Sequence, residues 1–170
     1  MKEEVIELDT VDKYNKFFGV ETYHPMVTVV DLSKITQPAQ PFTINYGIYA
    51  LFLKDTLCGD ITYGRQPYDY QEGTIVCFAP GQVASIHAQE GTRPTGYGLL
   101  FHPDLIHGTQ LGHDIRNYSF FSYEAREALH LSEEERHTVI DCLHKIDTEL
   151  RRPADKHSRR LITANIGLLL

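Results

Sequence analysis

The segment YQEGTIVCFAPGQ, residues 70–82, constrains the fold of this chain more than any other stretch. Gly73 favours a tight turn, because glycine adopts positive φ without steric cost. The β-branched and apolar run Thr74–Phe78 predicts a buried strand. Pro80 and Gly81 then predict a second sharp turn. Short strands between tight turns are typical of small barrels and sandwiches, so we expect such an architecture.

One change in composition divides the 170 residues. Up to about residue 103 the chain is rich in Tyr, Phe, Val, Ile, Thr, Gly and Pro, whereas Glu, Arg, Leu and His predominate after residue 123. Strands followed by helices predict an α+β fold that is mainly β. We expect a β domain over residues 1–122, with a short helix at Val11–Phe18, and a helical segment over residues 123–170.

Two helices are predicted in that last segment. Ser132 and Glu135 have the spacing of a capping box, Pro153 ends the first helix, and the second begins at Ser158. Both helices are so apolar that we expect burial partly against the β domain and partly against a second copy of the chain. The candidate dimer-interface residues are Val139, Ile140, Leu143, Ile146, Leu150, Leu161, Ile162 and Leu169.

Charge and patterning exclude several classes of protein. A formal net charge of −7 argues against a large nucleic-acid surface, because phosphate binding needs clustered cations. The start of the chain is too polar for a signal peptide, and no apolar run reaches the roughly 20 residues of a membrane-spanning helix. We therefore expect a cytoplasmic protein with no membrane partner. Cys58, Cys77 and Cys142 form no CxxC pair, which favours reduced and mostly buried thiols.

Basic residues are concentrated where the two predicted helices meet. They invite a nucleic-acid interpretation, but cations at helix ends also satisfy terminal carbonyl groups. We interpret them as structural. They are Arg151, Arg152, Lys156, Arg159 and Arg160.

Three segments in order carry a resemblance to a known family. They are the turn-strand-turn at 71–82, the strand-to-helix passage GLLFHPDL at 98–105, and the run at 117–132 that leads into the helices. Together they resemble the N-terminal sensor domain of the AraC/XylS-type (arabinose-type) transcription regulators, over nearly the whole chain. The resemblance implies a small cupin-like, jelly-roll β-barrel that binds a small effector, a sugar or another metabolite. The two helices would then form a dimerisation hairpin in a homodimer.

In the intact regulators, a DNA-binding domain with two helix-turn-helix motifs follows the sensor domain. The resemblance therefore implies that this sequence stops inside a longer protein and that DNA is bound only through the further domain. The chain ends in the apolar run Ile166–Leu170 with no capping signal, which favours the same expectation.

Catalytic patterns are missing from the sequence. Cupin enzymes hold a metal with a His-x-His pair, whereas this chain reads Tyr68-Asp69-Tyr70 at that position and contains no His-x-His. It also lacks the motifs of nucleophile elbows, zinc peptidases and phosphate loops. We therefore expect no enzymatic activity, no metal and no cofactor.

The candidate ligand-binding residues are mostly tyrosines of the β domain. Tyrosine combines an apolar ring with a polar tip, which suits a small-molecule pocket. Alternation along strands places Tyr46 and Phe52 on one face and Tyr49 on the other, and Arg65 is suited to an anion or carboxylate. The full candidate set is His24, Tyr46, Tyr49, Tyr63, Arg65, Tyr68, Tyr70 and Phe78.

Two alternatives stay open at this point. A stand-alone cupin enzyme, an isomerase or dioxygenase, would need a metal or a carboxylate–His pair inside the barrel. A carbohydrate-binding barrel without a regulatory role would lack helix-turn-helix sequence beyond residue 170.

Overall fold

The computed structural model describes residues 4–36, 40–55, 59–63, 66–68, 73–88, 91, 93–121 and 129–170. Its strands are β1 Val5–Leu8, β2 Val27–Asp31, β3 Phe42–Tyr46, β4 Tyr49–Lys54, β5 Gly59–Tyr63, β6 Gln66–Tyr68, β7 Thr74–Phe78, β8 Gln82–Ala88, β9 Gly96–Phe101 and β10 Leu129–His130. Its helices are α1 Val11–Phe18, α2 Pro103–Ile106, α3 Gln110–Asp114, α4 Glu133–Leu150 and α5 Ser158–Leu169. None of these described helices is both long and apolar enough to cross a membrane.

The described strands form two five-stranded sheets, and the fold is α+β as the composition predicts. The first, which we call the front sheet, has the order β1-β3-β8-β5-β6, and the second, the middle sheet, has the order β10-β7-β4-β9-β2. β1 pairs with β3 in parallel, and the other described pairs are antiparallel. The predicted strand at Thr74–Phe78 is confirmed, and Gly73 before it and Gly81 after it have positive φ values of 75° and 90°.

The middle sheet is buried on both of its faces. Along β4, Ala50 and Phe52 pack with the front sheet, whereas Leu51 and Leu53 pack with the helices. We call the first cluster the inter-sheet core and the second the helix-side core. Side chains of neighbouring strand residues point to opposite faces, so β4 is apolar at every buried position instead of alternating apolar with polar.

The predicted N-terminal helix is confirmed as α1. The side chain of Thr10 accepts from the backbone N–H of Lys13, and Gly19 ends the helix with a left-handed φ of 72°. The buried face of α1 presents Tyr14 and Phe18 to the inter-sheet core, with ring centroids 4.6 Å apart. The helix therefore covers part of the space between the two sheets.

Helices α4 and α5 form the predicted C-terminal pair, and the capping box of Ser132 and Glu135 is confirmed. The predicted apolar stripe faces the middle sheet of its own chain: Val139, Leu143, Ile146, Leu150 and Ile162 are all buried in the helix-side core. These five residues are thus covered within their own chain, as expected for the part of the helices that packs on the β domain, and their contact with a second copy stays a prediction. Of the other candidates, Ile140 and Leu169 are half-buried and Leu161 is exposed.

Polar contacts fix this helical pair to the β domain at three separate places. Asp55, at the end of β4, forms a bidentate pair with the guanidinium of Arg136 on α4, with N–O distances of 2.9 Å. Arg151 lies over the ring of Tyr23 and donates to its hydroxyl. Arg159 donates to three backbone carbonyl oxygens around the end of α2, those of Asp104, Leu105 and His107. The structural interpretation of the basic residues is therefore confirmed for Arg159.

Candidate functional site

The inter-sheet core is rich in aromatic rings at one end of the sandwich. Tyr46 ends β3, and its ring is stacked on Phe78 of the facing sheet, with centroids 4.8 Å apart and planes 9° from parallel. Phe52 lies against both rings at 6.2–6.4 Å. Tyr46 and Phe78 are each 1% exposed. Two of the predicted ligand-binding residues therefore lie in direct contact and face the same interior.

Tyr14 joins this group from α1, although the candidate set from the sequence does not include it. Its ring centroid is 6.3 Å from that of Phe52. The helical spacing of Val11, Tyr14 and Phe18 is the signal that could have identified it, since that spacing places all three on the buried face of α1. The site thus has one phenol from the helix and one from the front sheet.

Burial controls the ionisation of both phenols. Desolvation raises the pKa of Tyr14, and the neighbouring Tyr46 raises it further. Desolvation likewise raises the pKa of Tyr46 above its ordinary value. Both hydroxyl groups are therefore neutral at physiological pH, and each can donate as well as accept a hydrogen bond.

Strand register brings two further candidates to the same face of the front sheet. Tyr63 pairs with Ala84, which also pairs with Ile44 of the inter-sheet core. Tyr68 pairs with Ile61, another member of that core. Residues directly opposite one another in a sheet share a face, so the backbone positions 63 and 68 belong to the face of Tyr46. Their side chains lie outside the described part of the chain.

Two other candidates, Tyr49 and His24, do not join this group. Tyr49 lies on the opposite face of the middle sheet, stacked on Phe101 at 5.1 Å and edge-on to Phe121 at 5.3 Å. The alternation of side chains along strands predicts this separation of Tyr49 from Tyr46. His24 lies on the loop between α1 and β2, where its Nδ1 accepts from the backbone N–H of Met26 at 3.0 Å. Arg65 and Tyr70 lie outside the described residues, so their prediction stays untested.

The rings of Tyr46, Phe78 and Phe52 lie against one another, so a ligand inserted between them would move them apart. Such a ligand would meet flat apolar faces and the two phenol hydroxyls of Tyr14 and Tyr46. This chemistry suits a small molecule with an apolar face and a few hydroxyl, amine or carbonyl groups.

Metal-binding groups and thiols give no second site among the described residues. No three His, Cys, Asp or Glu side chains there lie close enough to share a metal ion. The absence of a metal stays a prediction, since Asp69 and Glu72 lie outside those residues. Cys77 and Cys142 are buried and free, and burial raises the pKa of the Cys77 thiol, which keeps it protonated and unreactive.

His24 gives the fold a dependence on pH. Burial lowers its pKa, so the native state takes up a proton only below the value of about 6.5 that applies to an unfolded chain. Between the pKa of His24 in the native state and its pKa in the unfolded state, the unfolded state binds more protons. The free energy of unfolding therefore falls as the pH falls through this range. We expect His24→Asn, whose Oδ1 can still accept from Met26, to lose less stability than the wild type between about pH 7.5 and 5.5.

Urea titrations at several pH values measure this effect. The matched control is His137→Asn on the exposed side of α4, which should keep the pH dependence of the wild type. An unchanged pH dependence in His24→Asn would contradict the assignment.

Comparison with known proteins does not assign the chain to a family. No protein-family model matches the chain, and a search of curated proteins finds no match.

Proposed function

We propose that this chain is the ligand-sensing and dimerisation domain of an AraC-type transcription regulator. The two sheets would close into a cupin-like, jelly-roll barrel that binds a small effector between them. Helices α4 and α5 would hold two copies together, and a further domain of the intact protein would bind DNA. The order of a β domain, a short α2–α3 region and a helical pair supports this proposal.

The effector site of this proposal is the aromatic group around Tyr46. It combines stacked rings, the phenols of Tyr14 and Tyr46, and the register positions of Tyr63 and Tyr68 on one face. The polar contacts of Asp55, Tyr23 and the end of α2 join the same domain to the helical pair. A ligand that changes the distance between the sheets would therefore shift α4 and α5 through these contacts.

The observation that carries the dimerisation part is the outer face of α5. Leu161 and Leu168 are 48% and 65% exposed, seven residues apart, and therefore lie on one side of the helix. Beside Leu168, an apolar groove of about 440 Å³ is lined by Leu129, Leu131 and Val139 and is edged by Glu134 and Glu135. Arg160 is exposed at the other end of α5. An antiparallel pair of α5 helices would bring each Arg160 towards the partner's acidic edge, a self-complementary arrangement.

Sedimentation of the purified chain tests dimerisation. We expect a dimer for the wild type, and at least a tenfold higher dissociation constant for the double variant Leu161→Glu with Leu168→Glu, because two carboxylates would be buried at the interface. Val5→Glu is the matched control, since Val5 is a similarly exposed apolar residue on the front sheet. A monomeric wild type, or equal dimerisation of all three proteins, would contradict the proposal.

A thermal-shift screen of sugars and other small metabolites tests effector binding, because a ligand that binds the native state raises the melting temperature. For a compound that does so, Tyr46→Phe should weaken binding by about tenfold, since it removes one hydroxyl but keeps the ring. Tyr49→Phe makes the same change on the other face of the middle sheet and should bind as the wild type does. Equal effects of both variants would place the ligand elsewhere.

A further inference from the structure

We propose that a cleft beside α2 and α3 binds a small anion with a phosphate or carboxylate group. The cleft has a volume of about 720 Å³, and the polar side chains around it include His107, Gln110, His113, Arg116 and Asn117. It lies on the outside of the molecule, away from the aromatic group around Tyr46. The inference does not depend on the sensor function proposed above.

The cleft offers hydrogen-bond donors without an acidic partner. Its lining contains the guanidinium of Arg116 and the imidazoles of His107 and His113, and it contains no Asp or Glu. Among the ion pairs of the described residues, none involves Arg116. The acidic neighbour Asp114 already accepts from the amide of Gln110 with both carboxylate oxygens, at 2.9 and 3.0 Å.

The cleft brings these donors together in a chain that is acidic overall. The formal net charge is −7, so a diffuse basic surface does not account for it. A guanidinium presents a planar fork of N–H groups that matches the oxygens of a carboxylate or phosphate. The imidazole N–H groups of His107 and His113 in the same cleft would donate to further oxygens of the anion.

The backbone around the cleft is held in place before any ligand binds. The side chain of Thr109 donates to the carbonyl of Ile106 and accepts from the N–H of Gly112 at 3.1 Å. Gly112 lets α3 approach α2 so closely that a Cβ there would collide with the carbonyl oxygen of Ile106. Arg159 holds the carbonyl of His107 at 2.9 Å. A backbone that is held in place reduces the conformational entropy lost on binding.

NMR titration of the isotope-labelled chain tests the proposal, with sodium phosphate and sodium succinate as separate probes. Both titrations are run at constant pH and ionic strength, with sodium chloride as the balancing salt. We expect saturable shifts of the amide signals of residues 107–117 with at least one probe. Saturation with phosphate alone assigns a phosphate group, and saturation with succinate alone assigns a carboxylate.

Two variants make the result specific. Arg116→Gln should weaken binding about tenfold, because it removes the charged, forked donor. Arg93→Gln removes an exposed arginine outside the cleft and should leave the affinity unchanged. The melting temperatures of both variants should equal that of the wild type, since both side chains are exposed. The proposal is overturned by non-saturating shifts with both probes, by unchanged affinity in Arg116→Gln, or by equal losses in both variants.

Discussion

Gly96→Ala should lower the free energy of unfolding by about 4 kcal/mol or prevent folding altogether. Gly96 begins β9 with a φ of 115°, a region that residues with a side chain rarely adopt. A Cβ at this position would also collide with the carbonyl oxygen of Leu53 on β4. β4 and β9 are neighbours near the centre of the middle sheet, so neither strand can move away without disturbing both cores.

The matched control separates backbone conformation from steric collision. Gly73 also has a positive φ, 75°, but among the described residues no atom beyond its own chain neighbours lies within 4 Å of the Cβ that a substitution would add. Gly73→Ala should therefore cost only the conformational penalty, about 1 kcal/mol. Urea denaturation followed by circular dichroism measures both variants. Similar losses for the two would show that the collision with Leu53 is easily relieved.

The second large effect is expected for Gln82→Met. Gln82 is 3% exposed; its Oε1 accepts from the backbone N–H of Ala79, and its Nε2 donates to the carbonyl of Phe121 at 2.7 Å. Methionine has a similar size and no comparable donor or acceptor, so it leaves two backbone groups without their partners. We expect a loss of about 3 kcal/mol in the free energy of unfolding.

This side chain joins two segments that are distant in sequence. It ties the turn between β7 and β8 to residues 119–121, where Phe121 packs edge-on against Tyr49. The control is Gln110→Met, in which an exposed glutamine loses its hydrogen bonds to Asp114; its loss should stay below about 0.5 kcal/mol. If the free energy of unfolding falls by the same small amount in both glutamine variants, Gln82 does not hold these segments together.

Local patterns in the sequence predict much of the fold. Helix α1 with its two caps, the capping box of α4, and the strand at Thr74–Phe78 all follow from residues within a few positions of one another. The alternation of side chains along strands also predicts that Tyr46 and Tyr49 lie on opposite faces. These features need no knowledge of the rest of the molecule.

Features that depend on distant segments are not predicted. The parallel pairing of β1 with β3 and the two-residue strand β10 are set by partners far away in the chain. The apolar stripe of α4 is visible in the sequence, but which surface covers it is not, and most of it packs on the middle sheet. Tyr14, Gln82 and the donors around Arg116 owe their importance to neighbours that only the tertiary structure supplies.

The central position of β4 has a consequence for how this sequence can change. Deleting one residue from this strand would exchange its two sets of side chains, so that leucines would enter the space between the sheets and Phe52 would turn beneath the helices. The two residues of β10 are both exposed, so the same deletion there would leave both clusters intact. Length variation in relatives should therefore be concentrated in the loops and the edge strands, and β4 should keep a constant number of residues.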